Sequence, residues 1–219
     1  GATSVTQFRD EGYLPEAMVN YLALLGWSLD DKREIFSRQE LVEYFSLERI
    51  SKNPAIFDAR KLEWMNGYYM RRMSVKALTH AAIPYYESAG LLGAGFASEE
   101  PAPGAGVPGA GDGISREWLE RVVAEYQTRA KTLKELAQES SFFLTREVEI
   151  DPKAANKYLT RSYAPGLLRR IRDALSSLEP FTAASIAPIF EAERERTGLK
   201  LGDVIQPVRV AVAGKTASP

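Results

Sequence analysis

The chain predicts an all-α protein, and three observations carry that expectation. Apolar residues recur at intervals of three and four through most segments. Ser, Thr or Asp stands where a helix cap is needed, and Pro stands at helix starts. Strand-type alternation appears only briefly, around Val208–Val212.

The elements follow in order. Pro15 suits a first helical position, because its missing N–H would be unpaired there anyway. Met18, Tyr21, Leu22 and Leu25 form the apolar face of that helix, and Gly26 stops it. Ser37 lies three residues before Glu40, a capping box, with Leu41, Tyr44 and Phe45 as the buried face. Asp58 caps the next helix, where Leu62, Met65, Tyr69 and Met73 share one side. Ser74 caps a helix running through His80 to Glu87, with Pro84 as a kink point. His80 reads as structural rather than functional, since no second ligand or triad partner is near it in sequence. From Gly93 to Gly113, 15 of 21 residues are Gly, Ala or Pro, which cannot build a packed core, so a disordered loop is expected there.

Beyond the loop, Ser115 leads into a helix through Gln127, and Thr132–Gln138 is a short helix. Ser141–Thr145 reads as an extended connection. Asp151 caps a helix to about Thr160. Pro165 opens another, with Leu167, Ile171 and Leu175 inward and Arg169, Arg170 and Arg172 mostly outward. Thr182 caps a long helix that Gly198 ends. Its alternating Glu191, Glu193, Glu195 and Arg194, Arg196 read as a solvated face with local ion pairs. Leu201–Ala213 is a short helix or an extended segment interrupted by Pro207.

Composition narrows the chemistry. The chain has 219 residues, 45% of them apolar, room for one large domain or two small ones. It has no cysteine and one histidine, so disulfides, thiolate metal sites and a His-rich metal site are excluded. No apolar run approaches the ~20 residues that span a bilayer, and the polar opening Gly1-Ala2-Thr3-Ser4 has no signal-peptide pattern. Net charge is −1, but residues 151–219 hold 11 basic against 7 acidic side chains and the remainder 17 against 22. A basic C-terminal part on an acidic body is compatible with RNA.

No catalytic constellation is present. There is no Gly-x-Ser-x-Gly elbow and no Gly-x-x-x-x-Gly-Lys phosphate loop. The Gly-rich run near residue 104 lacks a preceding strand, a lysine and a following helix cap. RNA-type features are richer. Lys61, Trp64, Asn66, Tyr68, Tyr69, Arg71 and Arg72 put rings, an amide and cations on one helix, the groups that stack on bases and bind phosphates. The plainer reading, Trp64 and Tyr69 in the core and the rest surface, stays open at this point. Arg49 with Ser51-Lys52-Asn53 offers donors at a loop, and Arg129, Lys131 and Lys134 sit at the start of a short helix. Arg can make two parallel hydrogen bonds to a base edge, which Lys cannot.

Several segments in register resemble bacterial glutamyl-tRNA synthetases. They are Gly1–Val5, Glu11–Ala17, Asn20–Trp27, Arg33–Phe36, Phe57-Asp58 with Lys61-Leu62, Trp64–Gly67 with Tyr69 and Arg71, Lys131–Glu135, and Leu201-Gly202 with Gln206–Ala211 and Gly214. The resemblance implies that the chain starts just past the family's Lys-Met-Ser-Lys-Arg-type loop and lacks the nucleotide-binding fold. The piece alone is then inactive, with no cofactor or metal of its own; ATP with Mg serves the absent catalytic domain. Residues 1–73 would be the stem-contact region and 74–150 the first anticodon-binding subdomain, containing loop 93–113. Residues 151–219 would be the second subdomain, truncated, in an all-α cage. The implied partners are tRNA-Glu and the chain's own catalytic domain, with no DNA and no membrane, in the cytoplasm.

Site residues carry over by position. Arg129 falls where members that discriminate glutamate tRNA from glutamine tRNA have an arginine reading the third anticodon base. Leu201, Arg209, Ser218 and Pro219 match positions lining the anticodon pocket. Ser51, Lys52, Lys61, Asn66 and Arg71 match stem contacts. The alternatives are a glutamyl-tRNA synthetase relaxed for glutamine tRNA, a class I lysyl-tRNA synthetase, and a helical interaction module that binds no RNA.

Overall fold

The computed structural model describes residues 4–30, 32–51, 55–93, 96, 113–145 and 147–217. The Gly/Ala/Pro loop lies outside them except for Gly93, Phe96 and Gly113, and so do Lys52, Asn53, Ser218 and Pro219. Two compact units divide the chain, Gly1–Leu144 and Thr145–Pro219. Among the described residues every regular element is helical, and the one β feature is an isolated antiparallel bridge between Trp27 and Ile50.

In the first unit, α1 (Val5–Asp10) leads through Gly12 into α2 (Pro15–Leu24). Then come α3 (Arg38–Tyr44), a 3-10 turn (Leu47–Arg49), α4 (Ala59–Arg72), α5 (Val75–Ser88), α6 (Arg116–Tyr126), α7 (Leu133–Glu139) and a 3-10 turn (Ser141–Phe143). The caps are those read from the sequence. Ser37 and Glu40 form a full capping box, and the Asp58 carboxylate accepts from the N–H groups of Arg60 and Lys61. Ser74, Ser115 and Thr132 each accept from a backbone N–H in the first turn of their helix.

α4 is shared between cores. Leu62 and Met65 meet Met18 and Tyr21 of α2. One turn on, Met70 joins Leu14, Ala17 and the large cluster made by α5, α6 and α7. Tyr69 touches both clusters, and its hydroxyl lies 2.7 Å from Asn20 Oδ1 and from the Phe36 carbonyl. Burial pushes that phenol up to about 12. Asn20, fully buried, also accepts from Phe36 N and donates to the Glu34 carbonyl, so it organises the α2–α3 connection.

Several expectations are corrected here. Phe45 is not on a buried face: α3 ends at Tyr44, and Phe45 is exposed with its ring 5.6 Å from Trp27. Residues 141–145 are not extended. Phe143 and Leu144 donate three residues back, to Ser140 and Ser141, and this brings Phe142 and Phe143 into a stack at 4.3 Å, which strand alternation would forbid. The helix expected after Ser74 is present as α5, one element that runs through Pro84, with His80 on its exposed side.

The second unit contains α8 (Pro152–Ala154), a π turn (Ala155–Leu159), α9 (Ala164–Ser176), α10 (Ala183–Thr197) and α11 (Leu201–Ala213). The Asp151 helix is thus short and widens into a π turn, closed by Thr160 N donating to Ala155 O. Residues 201–213 are helical throughout, with Pro207 inside. Val204, Pro207, Val210 and Ala213 are buried at three-residue spacing, so the helical face of this segment wins over its local alternation. Leu167 and Ile171 of α9 meet Val204 to form the core.

Glu193 is a further correction. It is buried, not solvated, and its carboxylate accepts from two guanidinium forks. Arg170 of α9 donates through Nε at 3.0 Å and Nη2 at 3.0 Å, and Arg196 through Nη2 at 2.9 Å. Arg196 and Arg170 together hold the carboxyl down at about 2. Arg170, expected to face outward, is therefore the tie between α9 and α10.

Two measurements check these points. Glu193→Gln is expected to lower the stability of the second unit by about 1–3 kcal/mol near neutral pH. Because the folded carboxyl is depressed to about 2, its contribution is complete above the unfolded value of about 4.3 and disappears as pH falls towards 2. Urea titrations of both proteins should converge over that window; a constant gap would contradict the ion-pair assignment. Gly12 has φ +88°, and a Cβ there would stand 2.5 Å from Lys134 N and 2.6 Å from Leu133 N. Gly198 has φ +67° with open space around it. Gly12→Ala is expected to cost about 2–5 kcal/mol and Gly198→Ala about 1 kcal/mol. Equal costs would show that left-handed strain, not the contact with α7, decides.

Candidate nucleic-acid interface

The two faces of α4 do different work. Leu62, Met65, Asn66 and Met70 are buried. Opposite them, Arg60, Trp64, Tyr68 and Arg72 follow at four-residue intervals, which stacks them along one side of the helix. Trp64 is 46% exposed, so the tryptophan is not core. Its ring centroid lies 6.2 Å from Tyr68, and the Arg72 guanidinium lies 5.6 Å over the Tyr68 ring. Arg71 and Arg72 fall in the last turn, where cations complement the helix dipole, and neither has an ion pair among the described residues. A row of π faces and cations that carry no ion pair among the described residues is what a nucleic acid strand or stem can rest on.

Asn66 fixes this helix to two other segments. Its Oδ1 accepts from Leu14 N at 2.8 Å, and its Nδ2 donates to Lys131 O at 2.5 Å and lies 3.4 Å from Gly12 O. Gly12 O in turn accepts from Leu133 N at 3.0 Å. Asn66 is fully buried, with every side-chain polar atom occupied by the protein itself. It holds the site in shape and presents no surface.

Next to Gly67 the turn Gln127–Lys131 comes close to α4. A Cβ on Gly67 would stand 3.1 Å from an Arg71 guanidinium nitrogen and 3.6 Å from Lys131 Cα. The glycine lets the turn and the arginine approach together. Arg129 is exposed on this turn, and its N–H and that of Ala130 both bond to Tyr126 O, at 2.9 and 3.0 Å. Lys131 Nζ lies 3.4 Å from Glu63, and Lys134 Nζ 2.9 Å from Glu11. Gln127 was not singled out by sequence reading beyond its place at a helix end. Its Nε2 donates to Met70 O, in the last turn of α4, at 3.0 Å and to the carbonyl of the C-cap residue Met73 at 2.8 Å.

Ser51 and Lys61 sit elsewhere in the same unit. They line a small pocket of about 230 Å³ with Tyr21, Leu24, Leu25 and Asp58. Lys61 is paired with Glu34 at 2.5 Å. The structure thus gathers Asn66, Arg71 and the Arg129 turn, and separates Ser51 with Lys61 from them.

In the second unit, Leu201, Ile205 and Arg209 share one face of α11. Leu201 and Ile205 line an open apolar groove of about 860 Å³ with Ala184, Pro188 and Phe190 of α10. Arg209 Nη1 lies 3.4 Å from Thr216 O. Lys52, Ser218 and Pro219 lie outside the described residues. Among the described residues no group of His, Cys, Asp or Glu could hold a metal ion, and no helix is long and apolar enough to cross a membrane.

Comparison with known proteins adds the family. The model of the anticodon binding domain matches residues 77–219, and that of the class I tRNA synthetase (E and Q) catalytic domain matches residues 2–64. The chain is 38% identical over 219 residues to a glutamate–tRNA ligase of Moorella thermoacetica and 42% identical to that of Thermodesulfovibrio yellowstonii. All of this chain is covered, against 42% and 43% of those relatives, so it spans about two fifths of their length. Among solved structures, a glutamate tRNA ligase from Elizabethkingia meningosepticum in complex with its amino acid is similar at TM-score 0.75 and 27% identity, over 100% of this chain and 40% of that one. A glutamate-tRNA synthetase from Elizabethkingia anophelis is similar at TM-score 0.73 and 28% identity, over 97% and 37%. With the family model covering residues 77–219, well over half its length, the chain belongs to the anticodon binding domain family.

Proposed function

We propose that this chain is the tRNA-handling part of a glutamate–tRNA ligase, and that it selects tRNA-Glu by its anticodon and stem. The single observation that carries the reading is the anticodon-binding match over residues 77–219 in a chain whose relatives are named glutamate–tRNA ligases. The exposed ladder on α4 beside the Arg129 turn supports it. In this reading the whole enzyme joins glutamate to the tRNA 3′ end in the cytoplasm, with ATP and Mg serving a catalytic part outside this piece. Residues 1–73 act as the stem-contact region, and 74–150 and 151–219 as two anticodon-binding subdomains.

The division of labour follows from chemistry. Arg71, with Lys52, Lys61 and Ser51, contacts phosphates, which sets register and makes affinity salt-dependent. Trp64 and Tyr68 offer faces for sugar or base contact. Asn66 keeps these groups in place from beneath. Arg129 reads the third anticodon base by paired hydrogen bonds, Arg209 supplies a second base-reading cation, and Leu201, Ser218 and Pro219 complete the anticodon contacts. An arginine at position 129 favours the discriminating enzyme over one relaxed for glutamine tRNA.

The test is binding of the chain to glutamate tRNA and to the same tRNA with its third anticodon base changed, at about 50 and 200 mM salt. Arg129→Ala is expected to reduce the preference for the authentic anticodon by about 1–3 kcal/mol. Arg71→Ala is expected to weaken both complexes alike and to lower the log–log salt slope by about one. Equal losses for both tRNAs in Arg129→Ala would remove the base-reading role. Absence of salt-dependent binding would favour an interaction module without RNA.

A further inference from the structure

We infer that Gln127 is a positioning residue for Arg129: its carboxamide pins the anticodon-reading turn to the end of α4. The inference rests on the base-reading role proposed above for Arg129. α4 ends at Arg72, and its C-cap residue Met73 donates its own N–H back to Met70 O at 3.2 Å. Gln127 Nε2 binds both carbonyls of this cap, donating to Met70 O at 3.0 Å and to Met73 O, just past the helix, at 2.8 Å. Gln127 is also the residue at which α6 ends, held by its own N–H to Val123 O at 2.9 Å. One residue therefore closes two helices and starts the turn that carries Arg129.

The far end of the turn is pinned to the same helix. Asn66 Nδ2 donates to Lys131 O at 2.5 Å, and Ala130 between them is buried. Only Thr128, Arg129 and Ala130 lie between the two anchored residues, Gln127 and Lys131, and the N–H groups of Arg129 and Ala130 are both taken by Tyr126 O. The backbone beneath Arg129 thus has little freedom left. The arginine side chain above it is exposed. A guanidinium that must meet two acceptors on a base edge gains from such a base, because less conformational freedom is lost on binding.

The test compares Gln127→Met, which keeps length and volume but has no donor, with Gln127→Lys, which restores donors towards the two carbonyls. Each is made alone and with Arg129→Ala, and the readout is the ratio of Kd values for a third-base-changed and an authentic anticodon stem-loop. Circular dichroism melting confirms that each variant is folded. Gln127→Met is expected to reduce the ratio about fivefold or more, Gln127→Lys to restore it to within about twofold, and Gln127→Met to add nothing when Arg129 is already alanine. A loss of affinity shared equally by both loops, or an unchanged ratio in Gln127→Met while Arg129→Ala lowers it, would overturn the positioning role and leave base reading intact. An unchanged ratio in Arg129→Ala would overturn both.

Discussion

A buried carboxamide whose partners come from two distant parts of the chain is the constraint on which the first unit depends. Asn66 cannot turn to solvent, so each group it bonds would be left unsatisfied if it moved. An unmade buried hydrogen bond costs about 1–3 kcal/mol, more than a made one contributes, so the arrangement is held by the cost of its alternatives. The geometry also demands Gly12, because the chain there passes too close to the start of α7 for any side chain. Asn66 on α4, Leu14 at the start of α2 and Lys131 before α7 are consequently kept in one relation, although they are 52 and 65 residues apart in sequence.

That relation explains how one helix serves two ends. The inward side of α4 fills two cores, and its buried polar atoms are consumed by the fold. The outward side is left with Trp64, Tyr68, Arg71 and Arg72, none of which the fold needs for its packing. Gly67 lies between these duties. It lets Lys131 and Arg71 share one place beside the helix, so the basic turn and the aromatic ladder become neighbours. Function, in the proposed reading, is what remains exposed after packing has taken its share.

The second unit treats charge differently. Part of its basic content is taken up by the fold: Arg170 and Arg196 converge on Glu193, Arg172 pairs with Asp173, and Arg194 pairs with Glu191. Charge counted along the sequence therefore overstates what an RNA phosphate could meet. Arg209 on α11, beside the Leu201 and Ile205 face, is the cation that the proposed anticodon pocket relies on.

Local chemistry was legible from the residues alone. Helix caps at Ser37, Asp58, Ser74, Ser115, Thr132 and Thr182 are determined within a few residues, so the sequence locates them without knowing the fold. The all-α class followed from the same short-range periodicity, and the resemblance in register pointed to the family. The misses share one cause. Phe45, Glu193 and residues 141–145, and the choice between helix and extended chain left open at 201–213, depend on what packs against them from elsewhere, which no local spacing encodes. In the candidate site, Arg71 and Arg129 could be named because cations and rings are conspicuous. Asn66 was named as an RNA contact, and Gln127 was passed over. The sequence by itself determined the helices, their ends and the inventory of RNA-type side chains. Only the tertiary structure decided which polar groups the fold consumes and which it leaves exposed, because hydrogen bonds between distant segments form only once the chain has closed around them.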